Sequence, residues 1–195
     1  MTAGSVARLP GIQRRLQRFY GLDVAPDVRE FVQDGADDSR EHLLLREHAG
    51  TLELALVLPP PGESADHALQ LVEGVSHFLL LWERARTGLP TTLLELELQA
   101  EVDKYVFLTM VARRALSPVR ARSLHGKLYD HVTFLHPPHT EEGRRYRLAN
   151  DLAARFVARA VAPLVARDGL GSARPVLARF YRFGQTDKIR WASAA

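Results

Sequence analysis

The stretch from residue 66 to residue 114 constrains the fold of this chain more than any other part of it. Residues 66–86 are apolar almost all the way round a helix, a pattern that is typical of a helix buried on most sides. Residues 92–114 carry an apolar stripe at helical spacing. The break between them contains glycine and proline, which suits a helix C-terminus followed by a tight reversal. The sequence therefore predicts an antiparallel helical hairpin, residues 66–86 and 92–114, as the centre of the domain.

A β signal lies earlier, within residues 28–59. Residues 51–58 place leucine at every second position, and this period of two predicts a strand with one buried face. A second apolar run precedes it across Ala49-Gly50, and the prolines at 59–61 end the element. Because a two-stranded hairpin is marginal alone, we expect it to pack on the helices or to gain a third strand from residues 30–33.

These patterns predict a mainly α protein of the α+β class. A small N-terminal antiparallel β-hairpin or three-stranded sheet would pack on a bundle of five to six helices within residues 66–183. A length of 195 residues suits a single domain with a sizeable core. One further helix is expected from Ser117 to Leu135. Residues 1–9 and 192–195 are expected to fray, because little in them would bury surface.

Composition limits where the protein works and what chemistry it can use. The chain has no cysteine, which excludes disulfides, thiolate metal sites and a cysteine nucleophile. The N-terminus lacks the apolar core of a secretory signal, and the most apolar run, residues 75–82, is too short to span a bilayer. We therefore expect a cytoplasmic protein that does not enter a membrane.

The two halves of the chain carry opposite net charge. Residues 1–103 contain 9 Lys/Arg against 17 Asp/Glu, whereas residues 104–195 contain 17 against 6. Such asymmetry can mark a half that binds nucleic acid or another anion, or two halves that pack together and neutralise each other. We favour neutralisation.

Four residues of the predicted hairpin form a candidate metal site. Glu73 and His77 are four residues apart and share one helix face. Glu101 lies inside the apolar stripe of the second helix, with Glu97 one turn earlier. The site would bind a divalent metal as its cofactor, as helix bundles do with facing carboxylates and imidazoles. Counting residues from the turn places His77 and Glu101 at the same height, so this pair is the preferred one.

The same residues also have plainer interpretations. Glu73 and His77 could lie on a solvent-exposed strip of the first helix. Glu101 could form a buried salt bridge with His77, with Arg84 or with an arginine of the basic half, because an unpaired buried carboxylate costs several kcal/mol.

The basic half offers a second candidate site at Arg144, Arg145 and Arg147. These arginines alternate with an aromatic residue, Tyr146, and arginine with aromatic side chains is how single-stranded nucleic acid is held. No standard nucleic-acid-binding module is recognisable around them, so a solvated basic face is the plainer interpretation.

Three functions follow from these features. The preferred one, reached by elimination, is a binding or regulatory domain that acts through its helical surface on a macromolecular partner, most simply a protein. The first alternative is a metal-dependent enzyme or metal-binding protein centred on Glu73, His77, Glu97 and Glu101. The second alternative is nucleic-acid binding through the arginine-rich C-terminal half.

Overall fold

The computed structural model describes residues 3–33, 41–48, 51–112 and 116–194. They form one small three-stranded sheet and a larger set of helices, which confirms the mainly α, α+β class. The strands are β1 (Val32–Gln33), β2 (His42–His48) and β3 (Thr51–Val57). The helices are α1 (Ala3–Tyr20), α2 (Ala65–Arg86), α3 (Leu93–Val111), α4 (Pro118–Tyr129), α5 (Glu141–Phe156), α6 (Ala162–Asp168), α7 (Leu170–Arg182) and α8 (Gln185–Ala194), with a π-helical turn at Val157–Val161 between α5 and α6 and a 3-10 turn at Val28–Phe31.

The helices α2 and α3 form the predicted antiparallel hairpin. The hydroxyl of Ser64 accepts the backbone N–H of His67 at the start of α2, and Thr92 forms a capping box with Glu95 at the start of α3. Between the helices, Gly88 adopts a φ of +65°, the left-handed conformation that glycine accommodates without strain. The start of each helix is therefore fixed by a side-chain cap, and the conformation of Gly88 allows the chain to reverse between them. The predicted end of the second helix, residues 113–114, lies outside the described residues.

The sheet has the strand order β1–β3–β2. The pair β2 and β3 is antiparallel, and the third strand expected from residues 30–33 is β1, which runs parallel to β3. Leu56 of β3 is fully buried, and a Cβ atom added to Gly74 of α2 would lie 2.7 Å from its Cδ1 atom. The glycine thus allows the sheet to approach α2 closely, and this contact brings the start of β2 next to the helical hairpin.

Most residues of the two ends that were expected to fray are helical. Helix α1 begins at Ala3, and Leu9 on it is fully buried. Helix α8 extends to Ala194, and Ala192 is also fully buried. Residues 1, 2 and 195 of the expected frayed ends lie outside the described residues.

Helix α4 is shorter than expected. It ends at Tyr129, although the prediction continued to Leu135. Val132 is 39% exposed and Leu135 is 71% exposed, so the apolar residues that extended the predicted stripe have no core to pack against. A β-branched pair, Val132 and Thr133, further disfavours helix there.

The core is formed where α1, α2, α3, α5 and α7 meet, with large side chains such as Phe78, Tyr105, Phe156 and Phe180 fully buried. Within the described part of the chain, no helix combines the length and the apolar character needed to cross a bilayer.

Candidate metal centre

A histidine between two carboxylates lies where α2, α3 and the start of β2 meet. The Nδ1 atom of His77 lies 3.5 Å from Oε1 of Glu41, and its Nε2 atom lies 3.7 Å from Oε2 of Glu97. All three side chains are nearly inaccessible, with exposures of 7% for His77, 3% for Glu41 and 8% for Glu97. An imidazole with a carboxylate on each side, shielded from water, is a strongly polar site inside an apolar core.

Glu73 completes a group with metal-binding potential. Glu73, His77 and Glu97 each offer one potential metal-binding atom, and these three atoms lie within 4.8 Å of one another. Metal–ligand bonds of about 2.0–2.2 Å place any two donors of one ion within roughly 4.4 Å of each other. Small side-chain adjustments would therefore bring the three donors onto a common ion.

Several buried polar atoms of this cluster have no hydrogen-bond partner in the described structure. These atoms include Oε1 of Glu41, Nε2 of His77 and Nε of Arg145. The separations around His77 are in the range of an ion pair, but their geometry does not make hydrogen bonds. Because a buried polar group without a partner costs about 1–3 kcal/mol, the unpartnered Nε2 atom of His77 makes the side of the imidazole that faces Glu97 a candidate position for a ligand.

The cluster shifts the ionisation of its members strongly. Burial alone would lower the pKa of His77, but the carboxylates of Glu41, Glu97 and Glu73 outweigh it and raise that pKa to about 9. Burial raises the pKa of Glu97 to about 7, with further raising by the neighbouring carboxylates and partial opposition from His77. Burial also raises the pKa of Glu41 above its usual value, against the opposing charge of His77. At neutral pH the cluster therefore holds the imidazole of His77 in its protonated form between carboxylates.

Two cations border the carboxylates. The ammonium of Lys104 lies 3.0 Å from Oε2 of Glu73 and 2.8 Å from Oε1 of Glu101. Burial would lower the pKa of Lys104, but these two carboxylates reverse that effect and raise it well above its usual range. On the other side, Nε of Arg145 lies 3.8 Å from Oε1 of Glu97. These ion pairs join the acidic half of the chain to the basic half, so charge neutralisation between the halves is found at this cluster.

Glu41 is held in place by α2 and by the packing of the sheet. Its backbone N–H donates to Oε1 of Gln70 at 3.1 Å, and Gln70 is in turn fixed by a 2.7 Å bond to Asp66. A Cβ atom added to Gly74 would lie 3.0 Å from Oε1 of Glu41. The same glycine that admits Leu56 thus also makes room for this carboxylate.

The structure brings together three of the four residues of the predicted site. Glu73, His77 and Glu97 converge, and the interpretation of Glu73 and His77 as a solvent strip does not hold for His77, which is buried. The contacts of His77 are with Glu97 and Glu41, whereas the sequence argument preferred Glu101 as its partner. Glu101 does have a cationic partner, but that partner is Lys104 on its own helix. Counting from the turn gave the wrong partner for His77 because it fixes height along the hairpin and not the direction of each side chain.

Glu41 and Lys104 were missed by the sequence analysis. Glu41 directly precedes a strand in a polar region, and no periodicity in the sequence relates it to α2, which begins 24 residues later. Lys104 carried a usable signal, because it lies three residues after Glu101 and these positions are neighbours on a helix.

The basic candidates Arg144, Arg145 and Arg147 make different kinds of contact. Arg144 donates to the backbone carbonyl of His139, and Arg147 donates to the carbonyls of His136 and Gly143. Nε of Arg145 instead lies 3.8 Å from a carboxylate oxygen of Glu97. A carbonyl contact leaves the positive charge of Arg144 and Arg147 in place, so anion binding by these arginines stays a prediction.

A second buried polar network lies next to the first, on the other side of α3. The carboxylate of Asp103 accepts hydrogen bonds from three side chains, at 2.5 Å from Tyr20, 2.6 Å from Ser76 and 3.0 Å from Gln99. Gln99 then accepts from the ammonium of Lys188. Lys188 is fully buried, and its amine lies 4.6 Å from the centre of the Phe180 ring.

The carboxylate and the amine of this network are both perturbed by burial. Burial raises the pKa of Asp103, although the hydrogen bonds from Ser76, Tyr20 and Gln99 oppose the shift. Burial lowers the pKa of Lys188 to about 7, partly offset by Asp103. Because Asp103 accepts from three side chains and Lys188 donates to Gln99, we assign this network to the architecture of the core.

Comparison of the chain with protein-family models, with curated proteins and with solved structures finds no match.

Proposed function

We propose that this protein binds a divalent metal ion between α2 and α3, with Glu73, His77 and Glu97 as ligands. The observation that carries the proposal is the unpartnered Nε2 atom of His77, buried and 3.7 Å from the Glu97 carboxylate. A metal ion is the partner that satisfies an imidazole nitrogen and a carboxylate at the same time.

The position of Glu41 supports this assignment of ligands. Metal-binding histidines usually donate their second ring N–H to a carboxylate, which fixes the tautomer and the orientation of the ring. Glu41 lies 3.5 Å from Nδ1 of His77, on the opposite side of the ring from Glu97. In this arrangement Nδ1 carries the proton that faces Glu41, and Nε2 is the free donor that faces the metal.

Charge balance supports a divalent ion. Among the described residues around the site, the carboxylates of Glu41, Glu73, Glu97 and Glu101 outnumber the cations Lys104 and Arg145. With His77 neutral, a divalent ion would offset part or all of this excess negative charge. The mixture of carboxylate and imidazole donors suits Mn²⁺, Fe²⁺ or Zn²⁺.

Metal-dependent catalysis is the second candidate function. Three protein ligands leave at least one coordination position for water or a substrate oxygen, which is the arrangement of catalytic zinc sites. The cluster is partly accessible from the side of Glu73, whose side chain is 15% exposed. A small substrate could reach the ion from that side, whereas the ligands His77 and Glu97 stay shielded.

The other two functions have less support from the contacts. For nucleic-acid binding, the charge of Arg145 is already opposed by the Glu97 carboxylate, which leaves Arg144 and Arg147 of the three candidate arginines. Action on a macromolecular partner through the helical surface stays a proposal, with no specific surface of the described residues to carry it.

The test is direct measurement of metal binding. Purified protein is stripped with a chelator and titrated with Mn²⁺ and Zn²⁺ by calorimetry, and the bound metal is counted by elemental analysis. We expect near-stoichiometric binding by the wild type and a loss of affinity of more than about 100-fold in the His77→Gln and Glu97→Gln variants. Bound metal should also raise the melting temperature of the wild type.

Matched controls are available on exposed surfaces away from the cluster. Glu142→Gln and His131→Gln remove the same chemical groups from exposed positions and should bind metal like the wild type. If the wild type binds no metal, or if His77→Gln and Glu97→Gln bind as well as the controls, the proposal is wrong. The enzyme alternative additionally requires that a metal-dependent hydrolytic activity on model ester or phosphate substrates be lost in Glu97→Gln.

A further inference from the structure

The ammonium of Lys104 bridges one carboxylate from each helix of the central hairpin. It lies 3.0 Å from Glu73 of α2 and 2.8 Å from Glu101 of α3, and its side chain is 12% exposed. A cation held at short distance between two facing carboxylates occupies the kind of position that a metal ion takes in carboxylate-rich helix bundles.

Glu73 takes part both in the candidate metal site and in the ion pairs of Lys104. One of its oxygens lies close to the donor atoms of His77 and Glu97, and its Oε2 atom contacts Lys104. In sites with two metal ions, a separation of about 3.5–4 Å allows one carboxylate to serve both ions. The Glu73 carboxylate thus joins the proposed metal position to the position that Lys104 fills.

We infer that Lys104 is a built-in cation that fills a second cation position, formed by Glu73 and Glu101, and thereby limits the centre to a single metal ion. The inference rests on the proposed function for the first ion, but the second position is defined by the contacts of Lys104 itself. Glu101 is then a partner of Lys104 and not a ligand of the first ion.

Charge explains why removal of the ammonium should admit a second ion. Without Lys104, the carboxylates of Glu73 and Glu101 lose the ammonium that both of them contact. The local negative charge is then greater by one unit than in the wild type, which favours the entry of another cation. Glu73 and Glu101 are 15% and 18% exposed, so a hydrated ion can reach the vacated position from solvent.

The experiment compares metal stoichiometry in the wild type, Lys104→Gln, Lys104→Arg and Lys127→Gln. Each protein is equilibrated with Mn²⁺ by dialysis, the bound ions are counted per chain, and electron paramagnetic resonance reports whether two Mn²⁺ ions are coupled. We expect Lys104→Gln to bind one more ion than the wild type and to give a coupled spectrum. Lys104→Arg keeps the cation, and Lys127→Gln removes an exposed lysine elsewhere, so both should match the wild type.

The outcomes separate this inference from the proposed function. Equal stoichiometry in Lys104→Gln and the wild type overturns the inference, whatever that stoichiometry is. A wild type without metal beside a Lys104→Gln variant that binds one ion overturns the proposed function alone. If circular dichroism shows that Lys104→Gln does not fold, Glu101→Gln decides the question. This variant should keep the stoichiometry of the wild type, and loss of the bound ion from it would make Glu101 a ligand and refute the inference.

Discussion

His77 of α2 and Glu97 of α3 face each other across the central hairpin, with 3.7 Å between Nε2 and Oε2. Neither atom is exposed to bulk water, and the pair lies between Glu41 on one side and Arg145 on the other. Without metal, the stability of the folded protein must therefore depend on which of these groups carries a proton.

The first prediction concerns the pH dependence of the metal-free protein. The pKa of His77 in the fold, about 9, lies above its ordinary value of 6.5. The stabilisation from the protonated imidazole is therefore fully present below about pH 6.5 and is lost as the pH rises through 9. It amounts to at most about 3 kcal/mol. Urea unfolding in the presence of a chelator should show the wild type losing stability between pH 7 and pH 9. This range lies above the pKa of Glu97, which is raised to about 7 and makes stability fall with rising pH only at lower pH.

The control for this prediction is His77→Gln, which cannot take up the proton. Its stability should fall less than that of the wild type over the same range. The charged groups around the imidazole are Glu41, Glu73 and Glu97, with Lys104 and Arg145 beyond them, and all remain in the variant. Parallel pH profiles for the two proteins would contradict the prediction.

The second prediction concerns the hydrogen bonds to Asp103. Asp103→Ala leaves the donors of Tyr20, Ser76 and Gln99 without their acceptor inside the core. We expect it to lower the free energy of unfolding by roughly 3–5 kcal/mol. Tyr20→Phe removes one donor only and should cost about 1.5–3 kcal/mol, as for a hydrogen bond to a charged group. Chemical denaturation measures both, and an alanine variant within about 1 kcal/mol of the wild type would show that the network does not stabilise the fold.

The sequence was sufficient to predict the central hairpin and the small sheet. The pattern at 66–86 has one physical solution, a helix buried on most sides, and the Gly–Pro break leaves only a tight reversal. The period of two at 51–58 likewise predicts a strand, and the marginal stability of a lone hairpin led to the expectation that it packs on the helices or gains a third strand.

The candidate site was only partly predictable, for a geometric reason. Glu73 and His77 are related by helical spacing, so the sequence placed them on one face. The carboxylates that contact His77 come from other elements: Glu97 from the facing helix and Glu41 from the start of β2. Which carboxylate meets the imidazole depends on the rotation of α3 about its axis and on the packing of the sheet at Gly74. Neither is encoded in a local pattern.

The buried Lys188 shows a second limit of sequence reasoning. A lysine near the C-terminus is exposed in most proteins, so its burial had no local signal. It is buried because α8 packs back against the core, where its stem and ammonium lie over Phe180 and its amine reaches Gln99. The tertiary contacts of α8 outweigh the preference of the side chain for water.

The third prediction follows from this burial. The pKa of Lys188 in the fold, about 7, lies below its ordinary value of 10.5, because burial disfavours the charged amine. Between about pH 7 and pH 10.5 the unfolded chain binds more protons than the folded one, so this residue makes stability rise with pH. The charged groups that act on the amine are Asp103, Arg84 and Glu95.

Lys188→Met tests this effect, because methionine keeps the packing on Phe180 without the charge. The stability of the variant relative to the wild type should be higher at pH 7 than at pH 10, by roughly a few kcal/mol at most. Lys127→Met, at an exposed position, should show no such difference. If the stability of Lys188→Met relative to the wild type is the same at both pH values, the amine is not the cause.

The last prediction concerns Glu41, which we assign as the carboxylate that orients His77. Glu41→Gln keeps the size of the side chain but removes the charge that holds the Nδ1 proton of the imidazole. Loss of such an outer partner typically weakens metal binding by about 10–100-fold without removing a ligand. We therefore expect Glu41→Gln to bind as many Mn²⁺ ions as the wild type, but with a dissociation constant raised by that factor.

Two variants serve as controls. Glu97→Gln, which removes a proposed ligand, should lose more affinity, and Glu63→Gln, at an exposed position, should lose none. Calorimetric titration with Mn²⁺ gives the dissociation constants of the three variants. A Glu41→Gln variant that binds as tightly as Glu63→Gln would mean that Glu41 does not position the imidazole.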